Sequence, residues 1–162
     1  MDARVTMGPV PNTYRMIYDV KEPKPLVSLI IPTRDEYAVL SKCISSILEK
    51  TTYPNYEILI LDNRSQDQQT LNYLASIGGE KKIRVLPYDH PFNFAAINNY
   101  GAMQANGKIL GLINNDIEVI TPDWLTEMVS HAVRPEVGCV GAKLYYPDGR
   151  IQHAGVILGI GG

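Results

Sequence analysis

Cysteines, an excess of basic residues and long apolar runs are scarce or missing in this chain, and each shortage excludes a class of protein. Two cysteines in 162 residues are too few for a disulfide-stabilised secreted domain or a thiolate metal site, so a reducing cytoplasm is the expected compartment. The formal net charge of −2 argues against a nucleic-acid-binding surface. No apolar run approaches the roughly 20 residues of a membrane span, and the first residues show no signal-peptide pattern. Location at the inner face of a membrane through other regions stays open.

Signatures of several enzyme classes are missing as well. The chain contains no P-loop pattern and no G-x-S-x-G elbow, and the glycine fingerprint of dinucleotide-binding folds does not follow its first buried strand. His90, His131 and His153 do not have the spacing of metal ligands. These absences weigh against nucleotide hydrolysis by a P-loop, serine hydrolase chemistry and hydride transfer.

The hydrophobic pattern predicts an α/β domain. Apolar runs at 26–32, 56–61, 82–86 and 108–113 predict buried strands, and spacings of three and four predict helices at 36–50, 67–76 and 94–106. Thr121 and Pro122 have the residue types of a helix cap and a first helical position. Strands joined by helices through short loops predict a mainly parallel sheet with helices on both faces.

The two ends of the chain are patterned differently. Residues 1–25 are rich in proline and predict a linker or a short leading strand, so the domain is expected over 26–162. Two further strands are predicted at 137–144 and 151–158, around a turn at 147–149. Cys43 and Cys139 then fall in a helix and a strand, as small core residues. We expect the last predicted strand to leave an exposed sheet edge through which the chain self-associates.

Three of the predicted strands end in polar clusters. In a parallel sheet these ends meet at one edge, outside which ligands bind. Their amides and carboxylates could bind a base and a ribose, and one carboxylate could hold a divalent cation between two phosphates. The clusters are Pro32-Thr33-Arg34-Asp35, Asp62-Asn63-Arg64-Ser65 and Asn114-Asn115-Asp116.

Each cluster also has a purely structural interpretation. Asp62-Asn63-Arg64-Ser65 and Asn114-Asn115-Asp116 could be ordinary turns, because Asp, Asn and Ser favour turns. Asp35 could cap the helix that follows it. The convergence of all three clusters at one edge favours a binding site.

These segments resemble the successive motifs of family 2 glycosyltransferases, in family order and spacing. The segments are VSLIIPTRD at 27–35, YEILILDNRS at 56–65, NFAAINNYG at 93–101 and GKILGLINND at 107–116. The stretch 134–156 is similar to a bacterial subgroup of rhamnosyltransferase-like and O-antigen or cell-wall glycan transferases. The resemblance covers about 26–162.

The resemblance implies a GT-A fold, a UDP- or dTDP-sugar donor, a glycan or lipid-linked acceptor, and Mg²⁺ or Mn²⁺. By position, it implies that Pro32, Arg34 and Asp35 line the base pocket and that Asp62 or Asn63 contacts the base or ribose. Asn93 falls where relatives often place a basic residue near the nucleotide. The segment at 114–116 matches the DXD motif, with Asp116 as the metal ligand. The implied nucleotide-binding residues are Pro32, Thr33, Arg34, Asp35, Asp62, Asn63, Asn93, Asn114 and Asn115.

Two departures from the family pattern limit this interpretation. Asn114 replaces the first acid of the DXD motif, so metal binding depends on Asp116. No convincing catalytic base is present, and we expect the base to lie beyond Gly162 and these 162 residues to be inactive alone or to hydrolyse the donor slowly. A non-catalytic nucleotide-binding module of a larger protein is therefore the alternative. A nucleotidyltransferase is weaker, because Arg34 is the sole basic residue in the turn after the first strand.

Overall fold

A computed structural model describes residues 3–8 and 10–156, and the chain forms two compact units. The larger unit is Lys21–Leu125, and the smaller combines Met1–Val20 with Thr126–Gly162. The predicted domain, 26–162, therefore extends into both units.

The elements alternate as the sequence predicts over the central part of the chain. The strands are β1 Ala3–Met7, β2 Tyr14–Tyr18, β3 Val27–Thr33, β4 Tyr56–Asp62, β5 Ile83–Pro87, β6 Ile109–Leu112, β7 Leu144–Tyr145 and β8 Ile151–His153. The helices are α1 Tyr37–Lys50, α2 Gln68–Ile77, α3 Phe94–Gln104 and α4 Trp124–Ala132. Among the described residues, no helix is both long enough and apolar enough to cross a membrane.

The larger unit is built on a parallel sheet of order β5-β4-β3-β6. The chain moves from β3 to β4 and β5 and then returns to the other side of β3. Because parallel crossovers are right-handed, this reversal places α1 and α2 on one face and α3 on the other. The α/β prediction, with a parallel sheet flanked by helices, is confirmed.

Burial explains why these segments form strands. Residues at successive positions of β3 and β4 face opposite sides of the sheet, and almost all are buried, so both strands are continuous apolar runs. On the α3 face, Ile30, Leu59 and Leu61 form a cluster with Tyr88 and with Ile97 of α3. These contacts pack α3 against its face of the sheet and form part of the core of the larger unit.

Helix α4 begins two residues later than the prediction from Thr121 and Pro122 as cap and first helical residue. The Pro122 carbonyl accepts hydrogen bonds from the backbone N–H and the hydroxyl of Thr52, at 3.0 and 2.9 Å. The Thr121 carbonyl accepts the backbone N–H of Trp124 at 3.1 Å, so 121–124 form a turn and the helix starts at Trp124.

The smaller unit departs most from the sequence prediction. The segment predicted as a linker or leading strand contains the antiparallel pair β1–β2. The strand predicted at 137–144 is wrong over most of its length, since only Leu144 is in a strand, and Cys139 is exposed and not in a core. In the described part of the chain no strand lies beside 137–143 to pair with their backbone groups.

The predicted turn at 147–149 joins β7 to β8, and Gly149 has a positive φ of 85°. Of the predicted strand 151–158, residues 151–153 form β8, and the part from 157 onward lies outside the described residues.

Glu57 fastens the α3–β6 connection to the amino-terminal end of the sheet. Its Oε1 accepts hydrogen bonds from Ser28 Oγ (2.6 Å) and the Asn106 backbone N–H (2.7 Å), and its Oε2 accepts from Asn106 Nδ2 and Arg84 Nη1. Burial raises the pKa of the Glu57 carboxyl, but these hydrogen bonds outweigh it and hold the pKa below its ordinary value of 4.5. Glu57 is therefore a negative charge stabilised by folding.

Replacing Glu57 with glutamine is expected to lower the free energy of unfolding by about 2 kcal/mol at pH 7, because charge-assisted bonds are lost. The folded pKa is depressed, so this stabilisation is present above the unfolded pKa and is lost as the pH falls through the folded value. The difference between wild type and variant should therefore shrink below about pH 4. Urea unfolding between pH 7 and pH 3 measures it, with Glu80→Gln at an exposed position as control. A pH-independent difference would contradict the prediction.

Candidate functional site

A pocket of about 460 Å³ lies at the carboxyl ends of the strands in the larger unit. This volume is within the range of small-molecule sites. Its position follows from the topology, because the strand order reverses between β3 and β6 and a crevice opens there. The described residues that line it are Pro32, Thr33, Arg34, Asn63, Phe92, Phe94, Asn114, Asn115 and Asp116.

Thr33 connects the three predicted clusters. It is buried, its carbonyl accepts the backbone N–H of Asn63 (2.8 Å), and its Oγ1 accepts a hydrogen bond from Asn115 Nδ2 (3.2 Å). The second contact orients the Asn115 amide, and Asn115 lines the pocket. The strand-end clusters therefore meet, as the parallel arrangement predicts.

Asn63 lines the pocket and carries a buried side-chain acceptor without a partner in the part of the chain that the structure describes. Its Nδ2 donates to the carbonyls of Tyr88 (3.0 Å) and His90 (2.8 Å), which determines the orientation of the amide. The side chain is buried, and within the described residues Oδ1 has no hydrogen-bond partner. A buried acceptor without a partner is costly, so a donor group from a ligand would stabilise it.

Three residues predicted to bind the nucleotide do not line the pocket. Asp35 Oδ1 accepts the backbone N–H groups of Gln66 (2.6 Å) and Asp67 (2.8 Å). Asp62 Oδ1 accepts the backbone N–H of Ser65 (3.0 Å). Asn93 caps α3 by accepting the backbone N–H of Ala96 (2.9 Å). All three side chains bind backbone groups of nearby loops or helix ends.

The sequence reasoning missed Phe92 and Phe94. The chain has two phenylalanines, and both line the pocket although they are 66% and 52% exposed. Exposed large aromatic rings beside a pocket suit stacking on a flat ligand. The sequence signal that could have found them is a pair of aromatic residues on either side of the helix cap Asn93. The helix that follows has apolar residues of its own.

The loop after β6 brings a carboxylate to the pocket. The Asn114 carbonyl accepts a hydrogen bond from Cys43 Sγ at 3.8 Å, which ties the start of this loop to α1. Burial raises the pKa of the Cys43 thiol to about 11, a backbone hydrogen bond with Ile117 lowers it, and the Asp116 charge raises it. Cys43 is therefore a protonated core residue at neutral pH, and Asp116 is exposed on the pocket side.

Glu118 belongs to a separate arrangement. Its carboxylate pairs with Lys42 at 2.8 Å and with Lys50 at 3.6 Å. The hydrogen bond and charge of Lys42 hold the pKa of Glu118 below its usual value, with a smaller contribution from Lys50. Glu118 is not among the residues that line the pocket, whereas Asp116 is. Asp116 is therefore the acidic residue that this loop contributes to the pocket.

The donor atoms of the pocket fit a hard divalent cation. Asp116 is the one acid and Arg34 the one base among the described lining residues. No group of three or more His, Cys, Asp or Glu side chains that could hold a metal occurs in 3–8 and 10–156. Mg²⁺ commonly takes one or two carboxylates and completes its shell with phosphates and water. The residues present are therefore compatible with a metal that arrives with a diphosphate, not with an all-protein metal site.

Fold and pocket together define the class of this domain. A parallel four-stranded sheet flanked by helices, with a pocket at the reversal of strand order, matches GT-A folds. A solved mannosyltransferase, PcManGT of Pyrobaculum calidifontis, superposes with a TM-score of 0.67 at 21% identity, covering 81% of this chain and 39% of that one. That structure holds GDP-Man and Mn²⁺.

The family follows from the sequence comparison. The model of glycosyl transferase family 2 matches residues 28–156, so the chain belongs to this family. It is 53% identical to the uncharacterized protein y4gI of Sinorhizobium fredii over 159 residues, which are 98% of this chain and 17% of that protein. It is 45% identical to the O-antigen biosynthesis protein RfbC of Myxococcus xanthus over 160 residues, 99% of this chain and 12% of that protein. The chain thus spans less than a fifth of both relatives.

Proposed function

We propose that this domain binds the nucleotide-diphosphate sugar donor of an inverting glycosyltransferase. The observation that carries the proposal is the convergence of Thr33, Asn63 and the segment from Asn114 to Asp116 on one pocket at the switch point of the sheet. Membership of glycosyl transferase family 2 supports the reaction class. Residues 26–162 are the proposed donor-binding part, and 1–25 the proposed leading segment.

The aromatic side of the pocket is the proposed base site. Phe92 and Phe94 would pack against the flat base, and the unpaired Oδ1 of Asn63 would accept a hydrogen bond from a ring N–H. Pro32, Thr33 and Arg34 would close the same side. The Asn115 oxygen would accept a hydrogen bond from a ribose hydroxyl. Asp35, Asp62 and Asn93 would shape the loops, since their side chains bind backbone groups.

Asp116 would serve the diphosphate end of the donor. It would hold Mg²⁺ or Mn²⁺, with Asn114 beside it, and Arg34 is the cation of the pocket. The bound metal offsets negative charge on the departing diphosphate. The acceptor hydroxyl would attack the anomeric carbon while the bond to the diphosphate breaks, and a carboxylate outside 26–162 would take the hydroxyl proton.

The proposed acceptor is a glycan or a lipid-linked glycan of a surface polysaccharide. The relative RfbC of Myxococcus xanthus is named as an O-antigen biosynthesis protein, which supports this class. Cys43 and Cys139 are both free thiols, which supports the cytoplasm as the compartment, with contact to the inner membrane face through other regions. Self-association through the β8 edge stays a prediction, and sedimentation at high concentration tests it.

Nucleotides whose base offers a ring N–H are expected to bind more tightly than the others. UDP, dTDP and GDP present such a donor to Asn63 Oδ1, whereas CDP and ADP place a ring acceptor at that position and could reach Oδ1 only by shifting to present their exocyclic amino group. That difference is worth about 1–3 kcal/mol, or roughly 5- to 150-fold in Kd. Calorimetric titration with the five nucleotides and Mn²⁺ measures it. Equal affinities for UDP and CDP would contradict the role of Asn63.

The same titration tests the proposed function. UDP or dTDP binding that strengthens with Mn²⁺ is expected. If none of the five nucleotides binds, the proposed donor site is rejected. Binding without sugar transfer by any longer protein that contains this domain would favour the non-catalytic nucleotide-binding module.

A further inference from the structure

Asp35 joins the loop after β3 to the loop after β4. Its Oδ1 accepts the backbone N–H groups of Gln66 and Asp67, at 2.6 and 2.8 Å, and its own backbone N–H donates to Ser65 Oγ at 2.8 Å. All three hydrogen bonds go to the β4–α2 loop. Helix α1 starts instead from Glu36, which makes no side-chain capping bond. The capping role suggested by sequence is therefore not the role that Asp35 has.

The two joined loops have the same unusual backbone. Asp35 and Glu36 have φ of 54° and 60°, and Arg64 has φ of 63°, all in the left-handed region. Residues other than glycine adopt this region at a cost, and they persist there when surrounding contacts hold them. In both loops the left-handed stretch directly follows a pocket residue, Arg34 in one and Asn63 in the other. The conformation of each loop therefore decides where its pocket residue points.

We propose that Asp35 is a positioning residue. By joining the two loops, it fixes the positions of Arg34 and Asn63, which line the same pocket. Asp35 does not line the pocket, so it acts through the backbone of the opposite loop and not on the nucleotide. Its Oδ2 also lies 3.9 Å from Nε of Arg34, but an ion pair at this distance and exposure contributes little. This inference rests on the proposed function, because Arg34 and Asn63 are residues proposed to bind the donor. Because a single oxygen accepts both loop hydrogen bonds, asparagine at 35 can preserve them, whereas alanine cannot.

The test compares Asp35→Ala, Asp35→Asn and Asp67→Ala. Asp67 caps α2, its Oδ2 accepting the backbone N–H and the hydroxyl of Thr70, both at 2.8 Å, and it does not line the pocket. Asp67→Ala should therefore destabilise the loop and helix α2 and serve as the matched control. The backbone N–H of residue 67 remains available to donate to Asp35. The measurements are UDP titration with Mn²⁺ and thermal unfolding of each variant.

Asp35→Ala is expected to weaken UDP binding at least tenfold, Asp35→Asn to restore it to within about threefold, and Asp67→Ala to lower the unfolding midpoint with little change in affinity. Equal losses of affinity in Asp35→Ala and Asp67→Ala would reduce Asp35 to a stability residue and overturn the inference. The same conclusion follows if asparagine fails to restore binding.

Amide hydrogen exchange separates this inference from the proposed function. Asp35→Ala should accelerate exchange at Gln66 and Asp67 and shift the amide resonances of Arg34 and Asn63, in the absence of any nucleotide. Asp67→Ala should accelerate exchange at Thr70 and leave the Arg34 and Asn63 resonances in place. If wild type binds no nucleotide, the donor site fails while the exchange data still decide the loop connection. Unchanged exchange at Gln66 and Asp67 overturns the inference in either case.

Discussion

Replacing Asp116 with alanine is expected to weaken binding of UDP in the presence of Mn²⁺ by roughly 10- to 150-fold and to abolish the dependence of affinity on Mn²⁺. The estimate follows from the loss of an interaction between charged groups, worth about 1.5–3 kcal/mol. Asp116 is the one acid among the described residues that line the pocket, so no neighbouring lining residue replaces its carboxylate. Calorimetry with and without Mn²⁺ measures both effects.

Glu118→Ala is the matched control for this experiment. Glu118 lies on the same loop, two residues further along, and pairs with Lys42 and Lys50, not with the pocket. Its removal should leave UDP affinity and Mn²⁺ dependence unchanged. Equal losses of UDP affinity in both variants would indicate that the overall negative charge of the loop, and not Asp116 itself, promotes binding. Undiminished Mn²⁺ dependence in Asp116→Ala would exclude Asp116 as the metal ligand.

Replacing Gly107 with alanine is expected to destabilise the domain by about 3 kcal/mol, at the upper end of overpacking effects. A Cβ at this position would lie 2.6 Å from the Ser28 backbone nitrogen and 2.8 Å from the Leu26 carbonyl oxygen. Both are backbone atoms, one in β3 and one in the residue just before it, so neither can move away as a flexible side chain could. The change would also disturb the hydrogen bond from the Gly107 N–H to Ser28 Oγ (2.8 Å).

Gly79→Ala provides the comparison, because a Cβ there meets no atom within 4 Å. Its effect on the free energy of unfolding should stay within about 0.5 kcal/mol. Urea unfolding followed by circular dichroism measures both variants. A similar small effect at both glycines would show that the α3–β6 connection can shift, and would contradict the tight packing against β3.

Much of the larger unit could be predicted from the sequence because its elements depend on local pattern. The apolar runs of β3 and β4 are buried on both faces, and such runs are the usual signal of central parallel strands. Once the strands are parallel, their carboxyl ends share an edge, which predicted the meeting of Thr33, Asn63 and Asp116. The alternating pattern therefore predicted both the fold class and the place of the pocket.

The smaller unit was harder to predict because its patterns are weak. The run at 137–144 has the composition of a strand, yet a strand also needs a partner for its backbone groups, and only Leu144 of that run pairs, with β8. The proline-rich start of the chain indicated a linker or a leading strand, whereas two strands pair there. Hydrophobic pattern alone does not state which segments will meet.

The sequence by itself determined the class of this protein: an α/β domain with the ordered motifs of glycosyl transferase family 2 and polar residues at three strand ends. Tertiary structure decided which of those residues face the pocket. Asp35 and Asn63 are similar in sequence terms, since each is a polar residue in a turn after a strand. Both side chains bind backbone groups of a neighbouring loop, but Asn63 also lines the pocket and Asp35 does not. The reason is that a polar side chain pairs with whichever unsatisfied groups the folded chain brings beside it.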